Sequence, residues 1–364
     1  MEFSWLELKD FRSYRELRIE PEEGINVFVG ANGAGKTNLL EAAAFLSSLR
    51  SFRGAPDEAL INDQAEAAVV RGEVHHAVSA SLIELELPQQ GRRRVRVNGQ
   101  RPARATDLLG HLRAVMFLPD DLDIVKRGPA YRRDFLDAVA VQLWPGAYLD
   151  QQEYDRALRQ RNSLLRQSGW DVDEPTLAVW DQRLSQAAGK LMVRRTGAAS
   201  VLRDGVAETY AGLSGAGTRI ELHYASKWGG SLHEEEAQGI ASVLAEALAG
   251  SRRADTERRV TTMGPHRDEP WFTVDGRDAR TRASQGEQRT LALSLRLASH
   301  RAISEATGEE ALLLLDDVFS ELDMQRADAL AGMLPTAQTF ITTARQEEVP
   351  VHGRTFVVEP GRIT

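Results

Sequence analysis

The chain has 364 residues, of which 42% are hydrophobic and 27% are charged, a composition typical of an ordinary globular protein. It contains no cysteine, which excludes disulfides, thiol catalysis and cysteine-ligated metal sites. The formal net charge of -8 argues mildly against nucleic acid as a partner, although the total says little about local patches.

The sequence offers no membrane or export signal. No apolar run reaches the roughly 18 residues of a membrane span. The first ten residues, "MEFSWLELKD", lack the basic flank and apolar core of a signal peptide. We therefore expect a cytoplasmic protein with no membrane partner.

The first third of the chain is predicted to consist mainly of strands. Residues 5–29 indicate two strands, the second a short buried run that ends in glycine. "GANGAGKT" follows, and "NLLEAAAFLSSL" then predicts a helix. Residues 66–97 are rich in strand formers and lead into Asn98-Gly99, a strong hairpin-turn signal.

From about residue 120 the pattern becomes helical. Gly128-Pro129 predicts a helix start, and a second helix is expected over about 147–167. A three-four apolar rhythm continues from Leu177 to Leu202. A turn at 168–176 between two long helices predicts an antiparallel helical hairpin.

The remaining third alternates strands and helices. Strands are expected at 218–224, near 258–263 and 271–274, at "ALLLLDD" and, last, at "TFITT". Helices are expected at 233–250, after Ser284 and at 324–333. This alternation predicts an α/β fold with a largely parallel sheet, into which the helical segment is inserted. We divide the chain into an N-terminal lobe (1–119), an inserted helical domain (120–217) and a C-terminal lobe (218–364) that completes the fold of the first.

The strongest motif fits G-x-x-x-x-G-K-[ST], the P-loop that binds nucleotide phosphates. It consists of Gly30, Ala31, Asn32, Gly33, Ala34, Gly35, Lys36 and Thr37. The glycines let backbone N–H groups wrap a β-phosphate, Lys36 would reach the β- and γ-phosphates, and Thr37 would bind Mg²⁺. ATP and Mg²⁺ are therefore the predicted cofactors.

A second motif, "LLLLDDVFSELD" (312–323), is an apolar strand that ends in two carboxylates. Asp316 could hold Mg²⁺ through water, and Asp317 would point to the other face and orient or deprotonate an attacking water.

A third feature is the polar start of a helix at Ser284-Gln285-Gly286-Glu287. A Ser-x-Gly helix start offers free N–H groups and the positive dipole end to an anion. The order P-loop, Ser-Gly helix start, acidic strand and "SELD" is the order of parts in ABC-type ATPases. In that class the Ser-Gly signature, here Ser284 and Gly286, caps the γ-phosphate bound by a second subunit.

Five segments together closely resemble the RecF family of bacterial DNA-repair ATPases over nearly the whole chain. They are "LKDFRSYRELRIEPEEGINVFVGANGAGKTNLLEAAAFL", "RRDFLD", "MGPHRDE", "ASQGEQRTLALSLRLA" and "LLLLDDVFSELD". The resemblance implies an ABC-type head with an inserted helical hairpin. It also implies weak ATP hydrolysis that switches dimerisation and DNA binding at gaps or stalled forks during repair, replication and the SOS response. The implied partners are DNA, a second copy of the chain, and the mediators RecO and RecR, through which RecA is loaded.

The resemblance also assigns roles to single residues. It places Ser320 and Asp323 in the loop that couples the two subunits' sites, and Arg12 at a position near the nucleotide in related SMC-type heads. Three departures from transporter ATPases suggest slow turnover or an altered site. Asp317 replaces the usual Glu, Thr343 stands where His is usual, and "PDD" (119–121) replaces a Gln-led loop.

DNA contact requires local basic patches because the total charge is acidic. The candidates, whose alternative interpretation is an ordinary solvated face, are Arg92, Arg93, Arg94, Arg96, Arg127, Arg132, Arg133, Arg156, Arg159 and Arg161. With no aromatic residues interleaved, contacts with the backbone of duplex DNA fit better than base stacking. We interpret His266, Arg267 and Asp268 as a structural turn or subunit contact, since no nucleophile is placed to use them.

Two other functions are compatible with a P-loop. The ATPase subunit of a membrane transporter is the alternative, which the long helical insert disfavours because transporter subunits keep their insert short. A small-molecule kinase on a P-loop fold is disfavoured by the signature helix.

Overall fold

The structure, a computed structural model, describes residues 1–168, 173–215, 217–229 and 236–364. The chain forms two compact units. The first contains Met1–Leu122, Glu208–Gly217 and Arg289–Thr364, and the second contains Asp123–Ala207 and Thr218–Gln288. Residues 218–288 thus group with the helical segment, although the sequence analysis assigned them to the ATPase C-terminal lobe. The three-domain division stays a prediction.

The strands are β1 (Glu2–Phe11), β2 (Tyr14–Ile19), β3 (Ile25–Val29), β4 (Ala67–His75), β5 (Ala80–Pro88), β6 (Arg94–Val97), β7 (Ala114–Phe117), β8 (Ile220–Ala225), β9 (Glu269–Val274), β10 (Arg277–Asp278), β11 (Leu312–Asp316), β12 (Thr339–Thr343), β13 (Arg354–Glu359) and β14 (Arg362–Ile363). The helices are α1 (Lys36–Ser48), α2 (Leu122–Lys126), α3 (Pro129–Leu143), α4 (Ala147–Ser168), α5 (Glu174–Ser214), α6 (Ala237–Arg258), α7 (Ala279–Arg282), α8 (Gln285–Thr307) and α9 (Met324–Met333).

A mixed sheet in the first unit positions the nucleotide motifs. Its strand order is β14-β13-β3-β12-β11-β7, and the pairs from β13 to β7 are parallel. Strand β11 is buried along its whole length, as a parallel strand covered on both faces should be. The carboxyl ends of β3, β12 and β11 meet at one edge, which brings the P-loop and the acidic strand end together. The predicted α/β fold is confirmed.

A second sheet in the first unit is antiparallel, with the order β2-β1-β4-β5-β6. Strands β1 and β2 form a hairpin in which Phe11 pairs with Tyr14, so Arg12 and Ser13 form the turn. Arg12 has φ +51°, the left-handed conformation that such two-residue turns require. Helix α1 packs against strands of both sheets.

The second unit combines a small sheet, with order β10-β9-β8, and long helices. Helix α5 runs for 41 residues, about 60 Å at 1.5 Å per residue, and its residues from Glu208 onward belong to the first unit. The buried core joins Tyr154 of α4, Leu184 and Leu191 of α5, and Ile240 and Leu244 of α6. Every helix within the described residues is too short or too polar to cross a lipid bilayer.

Most predicted elements are present, but three predictions about strands are wrong. Residues 5–29 contain parts of three strands and not two, because the chain turns at Arg12 and Ser13 and β1 pairs with β2. No strand forms at 258–263, because Asp255 near the end of α6 binds the backbone N–H and the hydroxyl of Thr262. "TFITT" is not the last strand, since β13 and β14 follow it and β13 pairs with β3. The start of the helix predicted at 233 and part of the turn at 168–176 lie outside the described residues.

Candidate nucleotide site

The P-loop links the end of β3 to the start of α1. Gly35 adopts φ +114°, which side chains other than glycine rarely tolerate, and a Cβ atom at that position would lie 2.8 Å from the Tyr14 hydroxyl. The backbone N–H of Gly30 donates to the carbonyl of Thr343 at 3.2 Å, which joins the loop to the end of β12. Helix α1 therefore points its free N–H groups and positive dipole end at the loop, an arrangement suited to phosphate.

Lys36 folds back over this loop. Its ammonium donates to the carbonyl oxygens of Gly30 at 2.6 Å and Ala31 at 3.1 Å. Burial lowers the pKa of Lys36, while the nearby carboxylates of Asp317 and Asp316 oppose that shift. The amine lies where phosphate oxygens could replace the two carbonyls as its acceptors.

Asp316, the last residue of β11, is held at the loop by two hydroxyls. Its Oδ1 accepts from Thr37 at 3.0 Å and from Thr342 at 2.7 Å. Thr37 and Asp316 are 279 positions apart in the sequence, so only the fold brings them together. A hydroxyl and a carboxylate are hard oxygen ligands of the kind that Mg²⁺ prefers.

Asp317 follows the end of β11 and has a different environment from Asp316. It adopts φ +51°, and its N–H donates to the carbonyl and hydroxyl of Thr342 at 3.2 and 3.1 Å. Its Oδ1 is buried and has no hydrogen-bond partner among the described residues. Burial raises the pKa of Asp317, while the Ser320 hydroxyl and Lys36 oppose that shift. This acceptor without a donor suits a carboxylate that orients water.

The signature sequence forms a capping box at the start of α8. The Ser284 N–H donates to the Glu287 carboxylate at 2.6 Å, and the Glu287 N–H donates to Ser284 Oγ at 3.2 Å. These bonds lower the pKa of Glu287. Gln288 fixes the same turn through the carbonyls of Ala279 and Arg280. Ser284 remains exposed, and its predicted role on another subunit's phosphate stays a prediction.

Several other predicted residues have structural partners. Arg12 forms a bidentate pair with the buried Glu41 at 2.9 and 3.1 Å, and also donates to Ala59. In the "PDD" segment, Asp121 is buried and binds Arg296 at 2.5 and 3.0 Å. The side chains of Arg12 and Asp121 therefore both form ion pairs that stabilise the first unit.

The loop after Asp317 is also ordered by hydrogen bonds. Ser320 donates to the Asp317 carbonyl at 2.8 Å, and Asp323 caps α9 by accepting from the Arg326 N–H at 3.0 Å.

The end of β12 contacts a further acidic residue. Thr343 donates to Glu348 at 3.1 Å. Glu348, which sequence reasoning missed, therefore lies beside the candidate site. No motif marks it, because its position depends on the turn after β12.

The "GPHRD" segment forms a turn whose side chains have partners within the chain. The Tyr154 hydroxyl contacts His266 Nδ1 at 2.6 Å, and burial lowers the pKa of His266 to about 4. Asp268 accepts instead from Tyr224 and the Trp228 indole, each at 2.8 Å. The two side chains thus do not form a His-Asp pair.

The candidate DNA contacts separate into exposed and buried groups. Two of them are wrong. Arg161 is completely buried and paired with Asp181 and Asp255, and Arg132 is buried and donates to backbone carbonyls. The half-buried ones are Arg93 and Arg133. The exposed ones are Arg92, Arg94, Arg96, Arg127, Arg156 and Arg159.

Comparison with known proteins identifies the family. The family described as "RecF/RecN/SMC N terminal domain" matches residues 3–360. The "DNA replication and repair protein RecF" of Acidothermus cellulolyticus is 41% identical over 370 residues, covering 100% of this chain and 99% of that protein. The chain belongs to the RecF family.

Solved structures agree on the RecF fold. "Structure of the recombination mediator protein RecF-ATPrS in RecFOR pathway" aligns with a TM-score of 0.92 and 32% identity, covering 100% of this chain and 97% of that one. An Smc head bound to the C-winged helix domain of ScpA aligns with a TM-score of 0.57 and 17% identity, covering 100% and 96%. The second likeness supports the fold alone and confirms the predicted ABC-type head.

Proposed function

We propose that this RecF-family chain is an ATP-dependent DNA-binding protein of recombinational repair and replication restart. It works in the cytoplasm as a weak ATPase whose nucleotide state controls dimerisation, and it acts with the mediators RecR and RecO to load recombinase. Support comes from its relatives named for DNA replication and repair, and from the similar structure described as RecF with ATPrS. Family membership leaves the transporter ATPase as the weaker alternative.

The observation that carries the nucleotide part of this proposal is the contact between Thr37 and Asp316. It joins a P-loop hydroxyl to the carboxylate of the acidic strand at 3.0 Å. Among the described residues there is no cluster of three or more His, Cys, Asp or Glu side chains that could hold a metal. Two hard oxygens fit Mg²⁺, which is usually held by one or two protein groups plus substrate phosphates. When bound, Mg²⁺ would neutralise phosphate charge.

Lys36 and Asp317 then have separate roles in hydrolysis. Lys36 binds the β- and γ-phosphates once its contacts with Gly30 and Ala31 are replaced. Asp317 accepts a hydrogen bond from the attacking water at its buried Oδ1 and takes its proton. Asp is shorter than the Glu of transporter ATPases, which favours slow turnover and therefore a switch over a motor.

The signature provides the link to a dimer. Ser284 and Gly286 begin a 23-residue helix whose capping box leaves the Ser284 side chain exposed. We infer that this helix start binds the γ-phosphate held by a second copy of the chain. Each ATP would then lie between two subunits, and the dimer would depend on ATP.

The DNA surface that the exposed side chains favour is one face of α4. Arg156, Arg159 and Arg166 recur at helical spacing, are all exposed, and alternate with the exposed amides of Gln152, Gln160 and Gln167. The hairpin arginines are a weaker candidate, since Arg94 is paired with Glu86 at 2.6 Å and Arg96 lies opposite Glu84. No ion pair within the described residues involves the three α4 arginines named above, although Glu153 and Asp155 lie one helical turn from Arg156 and Arg159. An exposed arginine row suits the phosphate backbone and implies sequence-independent binding.

The test is the molar mass in solution with and without ATP, and with ATP plus duplex DNA. The parent should dimerise with ATP. Ser284→Arg should bind ATP equally well yet stay monomeric, because a bulky cation blocks close approach to the second subunit's phosphate. Exposed Ser200→Arg on α5 is the matched control and should dimerise. A parent that stays monomeric at saturating ATP, or a Ser284→Arg variant that still dimerises, would refute the shared site.

A further inference from the structure

The turn between β1 and β2 is fastened onto the first turns of α1. Arg12 binds Glu41, and Ser13 Oγ accepts from the Asn38 amide at 2.9 Å. Glu41 is completely buried and also accepts from Ser51 at 2.5 Å. These bonds fix the position of the next residue, Tyr14, beside the P-loop.

Tyr14 presents a hydroxyl that has no protein partner. The side chain is completely buried, and its oxygen finds no hydrogen-bond partner within the described part of the chain. That oxygen and Ser13 Oγ lie 2.8 and 3.0 Å from the point that a Cβ on Gly35 would occupy. Burial raises the pKa of Tyr14 far above its usual value, so the group remains a neutral donor.

A buried hydroxyl without an acceptor is costly, and native proteins pair nearly all such groups. A bound nucleotide would bring oxygen acceptors to this loop. The fold indicates which phosphate of the nucleotide lies nearest the Tyr14 hydroxyl. Asp316 and Asp317 approach α1 from the six-stranded sheet and mark the Mg²⁺ and γ-phosphate end, whereas Tyr14 approaches from the five-stranded sheet. The hydroxyl lies beside Gly35, in the part of the loop whose backbone cradles the α- and β-phosphates, whereas Lys36 and Thr37 belong to the γ-phosphate and metal end. We therefore assign it to the α-phosphate end.

We propose that the Tyr14 hydroxyl donates a hydrogen bond to an α-phosphate oxygen of the bound nucleotide and so positions it in the P-loop. This inference rests on the proposed nucleotide site and adds a residue that lies outside its motifs. ATP and ADP share the α-phosphate, so the contact should serve both. Arg12 is not needed for it, because its guanidinium is held by Glu41.

The test is Tyr14→Phe, which removes only the hydroxyl. Dissociation constants for ATP and for ADP are measured by calorimetry, and the melting temperature is measured without nucleotide. We expect both affinities to fall by the same factor, about tenfold or more for a lost hydrogen bond to a charged group. The melting temperature should stay equal or rise, because an unsatisfied buried donor is gone. Tyr154→Phe is the matched control, since that hydroxyl is paired with His266, and it should lower the melting temperature and leave both affinities unchanged.

Other results of these measurements would overturn either the α-phosphate contact or the nucleotide site itself. Unchanged affinities, or a loss confined to ATP, would overturn the α-phosphate contact. A lowered melting temperature of Tyr14→Phe without nucleotide would show a structural role and also overturn it. If the parent itself fails to bind ATP and ADP, the proposed nucleotide site fails, and this inference fails with it.

Discussion

DNA binding through α4 can be tested by changing Arg156, Arg159 and Arg166 to Gln together. The three side chains are exposed, so their replacement should leave the fold intact. We assume that each arginine contacts one phosphate. The slope of the logarithm of the binding constant against the logarithm of the salt concentration should then be shallower by about 2.7 for one subunit, and by about 5.4 if both subunits of a dimer bind. Between 50 and 200 mM salt, the smaller value means that the parent loses about 40-fold more affinity than the variant.

The assay is a fluorescence anisotropy titration of labelled duplex DNA at several salt concentrations, with ATP present. The matched control changes Arg94 and Arg96 to Gln. This removes exposed positive charges whose cross-strand neighbours are Glu86 and Glu84, so binding should change little. Equal salt slopes for the parent and the α4 variant would refute the α4 surface. A slope lost only in the hairpin control would move the DNA site to the β5–β6 sheet.

Two further predictions concern the nucleotide. Lys36→Met should abolish ATP binding without unfolding the chain, because the amine that would hold the β- and γ-phosphates is lost; retained tight binding in a nucleotide titration would contradict this. Asp317→Asn should still bind ATP and dimerise but hydrolyse it more slowly, since an amide cannot take the proton from water; hydrolysis at the parent rate would remove Asp317 from the mechanism. Because burial raises the pKa of Asp317, hydrolysis by the parent should fall on acidification at a higher pH than an exposed Asp would give, as a pH–rate profile measures.

The nucleotide motifs could be predicted from sequence because their chemistry is local. A glycine-rich turn between a strand and a helix has few other uses, and two successive carboxylates on a strand must point to opposite faces. In the structure β11 ends at Asp316, and Asp317 follows it at φ +51°, so the alternation of a strand does not set its direction. Both carboxylates lie near Lys36, but they differ in partners: Asp316 accepts from Thr37, while one oxygen of Asp317 is buried without a partner among the described residues. The contact between Asp316 and the P-loop residue Thr37 could be predicted only because parallel strands place their carboxyl ends at one edge of the sheet.

The sequence could not show which of the candidate DNA-binding arginines are exposed and which are buried. Arg159 and Arg161 are two positions apart, and about 200° apart around a helix, so one faces solvent and the other the core. Ala157 and Leu165, four positions before and after Arg161, are buried on the same face of the helix. The sequence still indicated exposure there, because an arginine is rarely buried unless it is paired. Arg161 is buried because Asp181 and Asp255 come from two other helices, which the local sequence does not reveal. Removing one partner from such a buried pair typically costs about 3–5 kcal/mol.

Buried polar atoms without partners distinguish the two ends of the nucleotide site. Such atoms occur elsewhere in the described chain too, for example at Arg161 Nη2, so an unpaired atom alone does not indicate a ligand. Tyr14 and Asp317 differ because both lie beside the P-loop and have opposite hydrogen-bonding needs. The tyrosine is a donor that lacks an acceptor, which a phosphate oxygen supplies, and the ionised aspartate is an acceptor that lacks a donor, which water supplies. Since Thr37 and Asp316 mark the metal end, ATP with its γ-phosphate toward Asp317 would give the tyrosine its acceptor and place a water between the γ-phosphate and the aspartate.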